Sequence, residues 1–244
     1  MQSNNPILTR VETHSDFNDT MTVQGAVQKS ILLTVIAAVV GLSLFFYSFM
    51  TLNLSLAYAA AMVGAIGGLI LALITTFKPN TAPVLAIPYA LFEGAFLGGI
   101  SVVFQVKFPG VPLQALLATF ITTLVMFTLY RFQINRATEK FKAVVLSASI
   151  AIAIVFVVQI VMRLAFSSSI PYIFESNWLG IGFAAFVAVI ASLSLILDFD
   201  LSESSAAQYA PKAMEWVCGI ALLATLVWMY YSFLCLLSLL QGDD

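Results

Sequence analysis

From Lys29 onward the chain alternates between long apolar runs and short polar interruptions. The runs lie at about residues 30–50, 55–77, 82–105, 112–131, 143–165, 178–198 and 213–240, each near the ~20 residues that cross about 30 Å of hydrocarbon as a helix. They predict seven membrane-spanning helices, because a backbone exposed to lipid must satisfy its own hydrogen bonds. The interruptions carry turn residues: Asn53, Lys78-Pro79-Asn80, Pro109-Gly110-Val111-Pro112, the stretch 167–171, and Pro211. Only Thr51-Leu52-Asn53 separates the first two runs. Residues 1–28 hold Arg10, Glu12, His14, Asp16 and Asp19 without a periodic apolar face, and read as a solvated tail in front of a transmembrane domain over 29–244.

Composition agrees with the pattern. The chain is 61% hydrophobic and 9% charged, with a mean hydropathy of +1.01. A globular domain carries about 25% charged residues, so this chain could not cover a water-facing surface. It reads as a multi-pass membrane protein whose first partner is the lipid bilayer. A formal charge of −2 and the lack of a Lys/Arg run argue against a nucleic-acid partner. Cys218 and Cys235 fall in the last apolar run and, if helical, stand roughly 25 Å apart, too far to pair. His14 is the single histidine and has no Cys or His neighbours with which to hold a metal. No cleavable signal is visible, since the first apolar run is too long for a signal core.

Charge bias predicts orientation. Seven spans place Arg10, Lys29, Lys78, Arg131, Arg136, Lys140, Lys142 and Lys212 on one side, and only Lys107 and Arg163 on the other. Eight against two favours a cytoplasmic N-terminus and an outside C-terminus. Small residues recur every four positions at Ala60, Gly64 and Gly68 and at Ala90, Gly94 and Gly98, ridges that let helix backbones approach. Trp178, Trp216, Tyr172 and Tyr209 sit near span ends, as interfacial aromatics do.

In a chain this poor in charge, the acids stand out. Glu93 is the one acid well inside a span, where a charge costs several kcal/mol. It is either a group in an ion or proton path or a neutral glutamate bonded to a neighbouring helix. The stretch Leu193 to Glu203 closes the sixth run with Asp198, Asp200 and Glu203, either interfacial caps at a cytoplasmic mouth or working groups of a polar path. Asp198 shares a helical face with Ser194 and Ser202, while Asp200 and Glu203 lie on another. Glu215, just past Pro211 and Lys212, suits a helix-dipole partner in the first turn of the last span. Arg163, with Gln159 a turn earlier, suits a snorkelling interfacial cation. Cys218, Thr225 and Ser232 make a faintly polar stripe that is more suited to face another helix than a pore. No mid-span Lys, GxSxG, GxGD, P-loop or His/Cys cluster occurs, so no enzyme chemistry is predicted.

These residues resemble the Bax inhibitor-1 family, and more closely its bacterial branch of YccA-like inner-membrane proteins. The similar stretches are Tyr89 to Ser101, Leu129 to Phe132, Thr138 to Phe141, Gly180 to Phe183, Leu195 to Glu203 and Ala210 to Trp216, spread over most of the chain from Lys29 to Leu240. The resemblance implies an all-α membrane fold of seven helices with the last one central, in a bacterial cytoplasmic membrane. It also implies a pH-sensitive calcium leak in which aspartates on the last two helices sense protons and bind the ion. Carried over, the span-six aspartate is Asp198 and the span-three glutamate is Glu93. The second aspartate has no counterpart: Met229-Tyr230-Tyr231-Ser232 places Ser232 there, and a gapless register places Leu223 or Ala224. Depth in the membrane then points to Asp200, Glu203 or Glu215 as the carboxylate that pairs with Asp198. Two close carboxylates would make a site set by proton occupancy, and a hard cation such as calcium would compete for the same oxygens.

The expected function is therefore a pH-sensitive membrane ion leak or transporter for calcium, gated by carboxylate protonation, with protons or calcium as the small partners and no cofactor beyond an ion bound at Asp198. The competing expectation, carried by the same resemblance, is a membrane-embedded regulator that binds a membrane protease or stress-response protein through the tail and basic loop.

Overall fold

Each polar interruption within the described residues becomes a helix boundary, and the stretch 167–171 lies outside them. The computed structural model describes residues 20–132, 138–166 and 176–242, and over these the chain forms seven long helices. They are α1 (Val23–Met50), α2 (Leu54–Phe77), α3 (Ala82–Lys107), α4 (Val111–Arg131), α5 (Glu139–Phe166), α6 (Trp178–Ala207) and α7 (Met214–Gln241). All seven are long and apolar enough to cross a membrane, as the spacing of the apolar runs predicts. Between α1 and α2 the chain turns through Leu52 at φ 51°, and the Asn53 side chain accepts from the Leu56 N–H at 3.0 Å to start α2. Pro79 opens a 3-10 turn before α3, Gly110 takes φ 87° before α4, and Asn177 caps α6 by accepting from the Gly180 N–H at 2.8 Å.

Two boundaries move. The first helix begins at Val23 rather than near residue 30, because the Thr22 hydroxyl accepts from the Gly25 N–H at 2.9 Å and caps it there. The sixth does not stop at Asp198. It runs on to Ala207, since residues 199–207 contain no Gly or Pro and only the apolar signal ends at Asp198. Hydropathy marks where lipid ends; it does not mark where a helix must. His14 and most of the expected tail lie outside the described residues.

Helix α7 packs against α1, α3, α4 and α6, which makes it the axis of the bundle; α2 lies on α3, and α5 on α6. The outer faces are apolar: Val39, Ile66, Phe120 and Ile154 are each more than half exposed. That pattern suits lipid rather than water as the surrounding solvent. Small residues seat α3 against its neighbours. A Cβ on Gly94 would come within 2.6 Å of the Ala37 carbonyl on α1, and one on Gly64 within 2.6 Å of the Phe92 carbonyl on α3. On α2 the buried ridge is Ala57, Ala61, Gly64 and Gly68, so Ala61 rather than Ala60 continues the glycine line.

Candidate functional site

The acids sort themselves by the face from which each leaves its helix. On α6, Asp200 and Glu203 point roughly 160° and 140° away from Asp198. Asp200 accepts an ion pair from Lys142 Nζ at 2.7 Å, and Glu203 Oε2 accepts from the Tyr130 hydroxyl at 2.7 Å. Lys142 also stands 3.4 Å from Glu139, and the Phe199 ring packs on Phe127 and Tyr130. These contacts tie α4 and α5 to the end of α6. They are partly solvated pairs, worth about 1 kcal/mol or less each.

Asp198 faces the other way, into the seam between α6 and α7. Its carboxyl lies against the Thr225 hydroxyl on α7, and its Oδ2 is enclosed with no hydrogen-bond partner among the described residues. Small polar groups surround it. Ser202 donates to the Asp198 carbonyl at 3.1 Å, Ser194 to the Ile190 carbonyl at 2.9 Å, and Cys218 lies beside Ser202. Because α6 continues nine residues past Asp198, the carboxyl sits about 13 Å inside the helix end.

None of the three carboxylates expected beside Asp198 meets it. Asp200 and Glu203 are engaged with α5 and α4. Glu215 is 2% exposed and bound to α1: Lys29 Nζ lies 2.6 Å from its Oε2, the Thr22 N–H donates to its Oε1 at 3.0 Å, and the Thr22 hydroxyl lies 3.2 Å from the same oxygen. Lys29 also lies 5.1 Å over the Trp216 ring. The expected dipole role of Glu215 in the first turn of α7 is thus joined by a buried ion pair between helices, which sequence spacing did not reveal because its partner is 186 residues away.

The stripe Cys218, Thr225 and Ser232 does face a helix, and the helix is α6. All three residues are buried. Thr225 is the functional neighbour that sequence reasoning left unpaired with Asp198. A signal for it was available: counting outward from the loop at 208–213, antiparallel helices bring 198 level with about 223–225. Ser232 lies far from Asp198. It borders an apolar cavity of about 50 Å³ with Phe156, Phe183, Val187, Tyr231 and Cys235, and Val187 is eleven residues, or about 16 Å, along α6 from Asp198.

Glu93 is held elsewhere. Its carboxyl lies beside the Tyr89 hydroxyl, and Gly68 of α2 leaves room for it, since a Cβ there would come within 2.7 Å of Glu93 Oε1. Tyr89 is 1% exposed in a cluster with Leu33, Ile220, Leu223 and Val227. Leu223 and Thr225 lie roughly 160° apart around α7, so the two intramembrane acids occupy opposite sides of the central helix. They do not form one site.

A family model described as Bax inhibitor 1 like matches residues 5–242. The chain belongs to that family. No match was found among curated proteins or solved structures. In this Bax inhibitor 1 like protein the side chain set against Asp198 across the α6–α7 seam is a threonine, Thr225, and not a second carboxyl. Among the described residues no group of three or more His, Cys, Asp or Glu side chains could hold a metal. Calcium takes six to eight oxygens, so the one carboxyl and few hydroxyls beside Asp198 do not make a resident cage. Calcium at this point would be cargo.

Proposed function

We propose that this Bax inhibitor 1 like membrane protein is a pH-sensitive ion leak, with calcium as the cation and Asp198 as the group that gates it. The single observation behind this is the Asp198 carboxyl, enclosed between α6 and α7 with one oxygen lacking a partner. A carboxyl in such a place is tolerated in two ways: it carries a proton, or its charge is met by a cation. Exchange between the two couples cation passage to pH. Thr225 and Ser202 supply the neighbouring oxygens, and no second carboxylate is needed to make the exchange. Glu93 in this scheme braces α2 against α3. The strong Lys/Arg bias supports a cytoplasmic N-terminus, and the YccA-like resemblance alone points to a bacterial inner membrane.

Purified protein in calcium-dye-loaded liposomes at two pH values tests the proposal. Flux that changes with pH, and a loss of that change in Asp198→Asn, is the expected result. If Asp198→Asn left flux and its pH dependence intact, Asp198 would be discarded as the gate. Flux absent at both pH values would favour a regulator of another membrane protein.

A further inference from the structure

The short segment ahead of α1 is bound across the end of the α6–α7 pair by contacts that leave little of it free. Thr20 pairs with Pro211 as an antiparallel bridge, and the Met21 N–H donates to the Ala210 carbonyl at 2.8 Å. Thr22 gives its backbone N–H to Glu215 Oε1 at 3.0 Å, and Lys29 grips Oε2 of the same carboxyl at 2.6 Å. The carboxyl fills the space beside Gly25, where any Cβ would run into it. A two-oxygen acid on α7 thus holds both the entry to α1 and its second turn.

What this anchoring achieves is the burial of one side chain. Met21 is 3% exposed and packs with Ala26 and Cys218, walled by Leu201 and Ala206 of α6, Ala210 of the loop and Met214 of α7. The flexible thioether suits an irregular socket of this kind. Beneath it lies Cys218, beside Ser202 and within electrostatic reach of Asp198. Thr225, the hydroxyl against Asp198, is seven residues or about 10 Å further along α7. The order from the helix end inward is therefore Met21, then Cys218 and Ser202, then Asp198 with Thr225.

We propose that residues 20–22 form an autoinhibitory strap: Met21 stoppers the α6–α7 seam leading to Asp198, and Glu215 is the anchor that keeps the stopper seated. The strap is three residues held by side-chain and single backbone bonds, so it can lift without melting α1 or α7. Opening the gate at Asp198 from this end then requires release of Met21, a control separate from the proton or ion at the carboxyl itself. Its meaning as control rests on the leak proposed above; the stopper itself can be tested without any flux.

Cys218 reports on the seam directly. The full chain in lipid nanodiscs, open to reagent from both faces, is treated with a charged maleimide, and Cys218 and Cys235 are read separately by peptide mass spectrometry. Cys218 should be protected in the parent and in Met21→Leu, and should label about tenfold faster or more in Met21→Ala and in Glu215→Gln, as for a local opening. Cys235, partly exposed on the wall of the apolar cavity about 25 Å away along α7, should keep its parent labelling rate, and a rise there reports global unfolding. A variant in which both cysteines label faster has unfolded, and the decision then rests on the other variant and on Lys29→Met, which loosens the anchor with the socket filled. Cys218 labelling that stays at the parent rate in folded Met21→Ala and Glu215→Gln would overturn the strap. Faster Cys218 labelling without any calcium flux would keep the strap and sink the leak; pH-dependent flux with unchanged labelling would do the reverse.

Discussion

The two sides of α7 hold one intramembrane acid each and treat it in opposite ways. On the α1–α2–α3 side, helices touch backbone to backbone through Gly64, Gly94 and Ala61, and the half-buried Glu93 lies beside Tyr89, itself part of the core. On the α6 side, the seam is filled by hydroxyls, a thiol and a methionine stopper, and one oxygen of Asp198 has no partner among the described residues. The proposed brace and the proposed gate rest on this contrast: the same chemical group lies beside close-packed backbones on one side and in a small, polar lining on the other. Rarity of an intramembrane acid marks both residues; it is the packing around each that separates their roles.

The largest effect expected comes from breaking the rigid side. Gly94→Leu would drive a side chain into the Ala37 carbonyl and Val40, which already lie 2.6 Å and 2.8 Å from a bare Cβ. Overpacking costs typically about 1–3 kcal/mol and here meets backbone that cannot yield, so size-exclusion and thermal scans should show little folded protein. Next comes the contrast in function: Asp198→Asn should lower pH-dependent calcium flux about tenfold, equivalent to about 1.4 kcal/mol, whereas Glu93→Gln should lower thermal stability and leave the pH response in place. If Glu93→Gln removed the pH response and Asp198→Asn kept it, the assignment of brace and gate would be inverted.

Smaller effects sharpen the same contrast. Tyr89→Phe removes the hydroxyl beside the half-buried Glu93 carboxyl, which should cost about 1 kcal/mol of stability in a thermal scan with flux retained. Asp200→Asn breaks the partly exposed pair to Lys142 and should cost about 1 kcal/mol or less. A pH response lost in Asp200→Asn would mean that the gate extends to the α5 side of α6.

Helix number, order and turn sites were legible because seven runs of lipid-crossing length leave few other folds in a bilayer. The end of α6 was not, since the switch from apolar to polar at Asp198 resembles a helix end while residues 199–207 remain sound helix formers. The partner search missed for another reason: depth puts Asp200, Glu203 and Glu215 near the level of Asp198, but depth says nothing about the face from which each side chain leaves its helix. Helix rotation sends the first two to Lys142 and Tyr130, and Glu215 is claimed by Lys29 and Thr22 from the far end of the chain.

The sequence by itself determined a seven-helix membrane protein of the Bax inhibitor 1 like family, the ridge glycines, and the short roster of acids from which the proposed gate is drawn. Only the tertiary structure decided which acid is paired and which is open, because ion pairs 186 residues apart and the rotation of one helix against another are set by packing, not by local pattern. It also decided that Thr225 is the side chain set against Asp198, and that Met21, an unremarked residue of a polar tail, packs on Cys218 in the same seam.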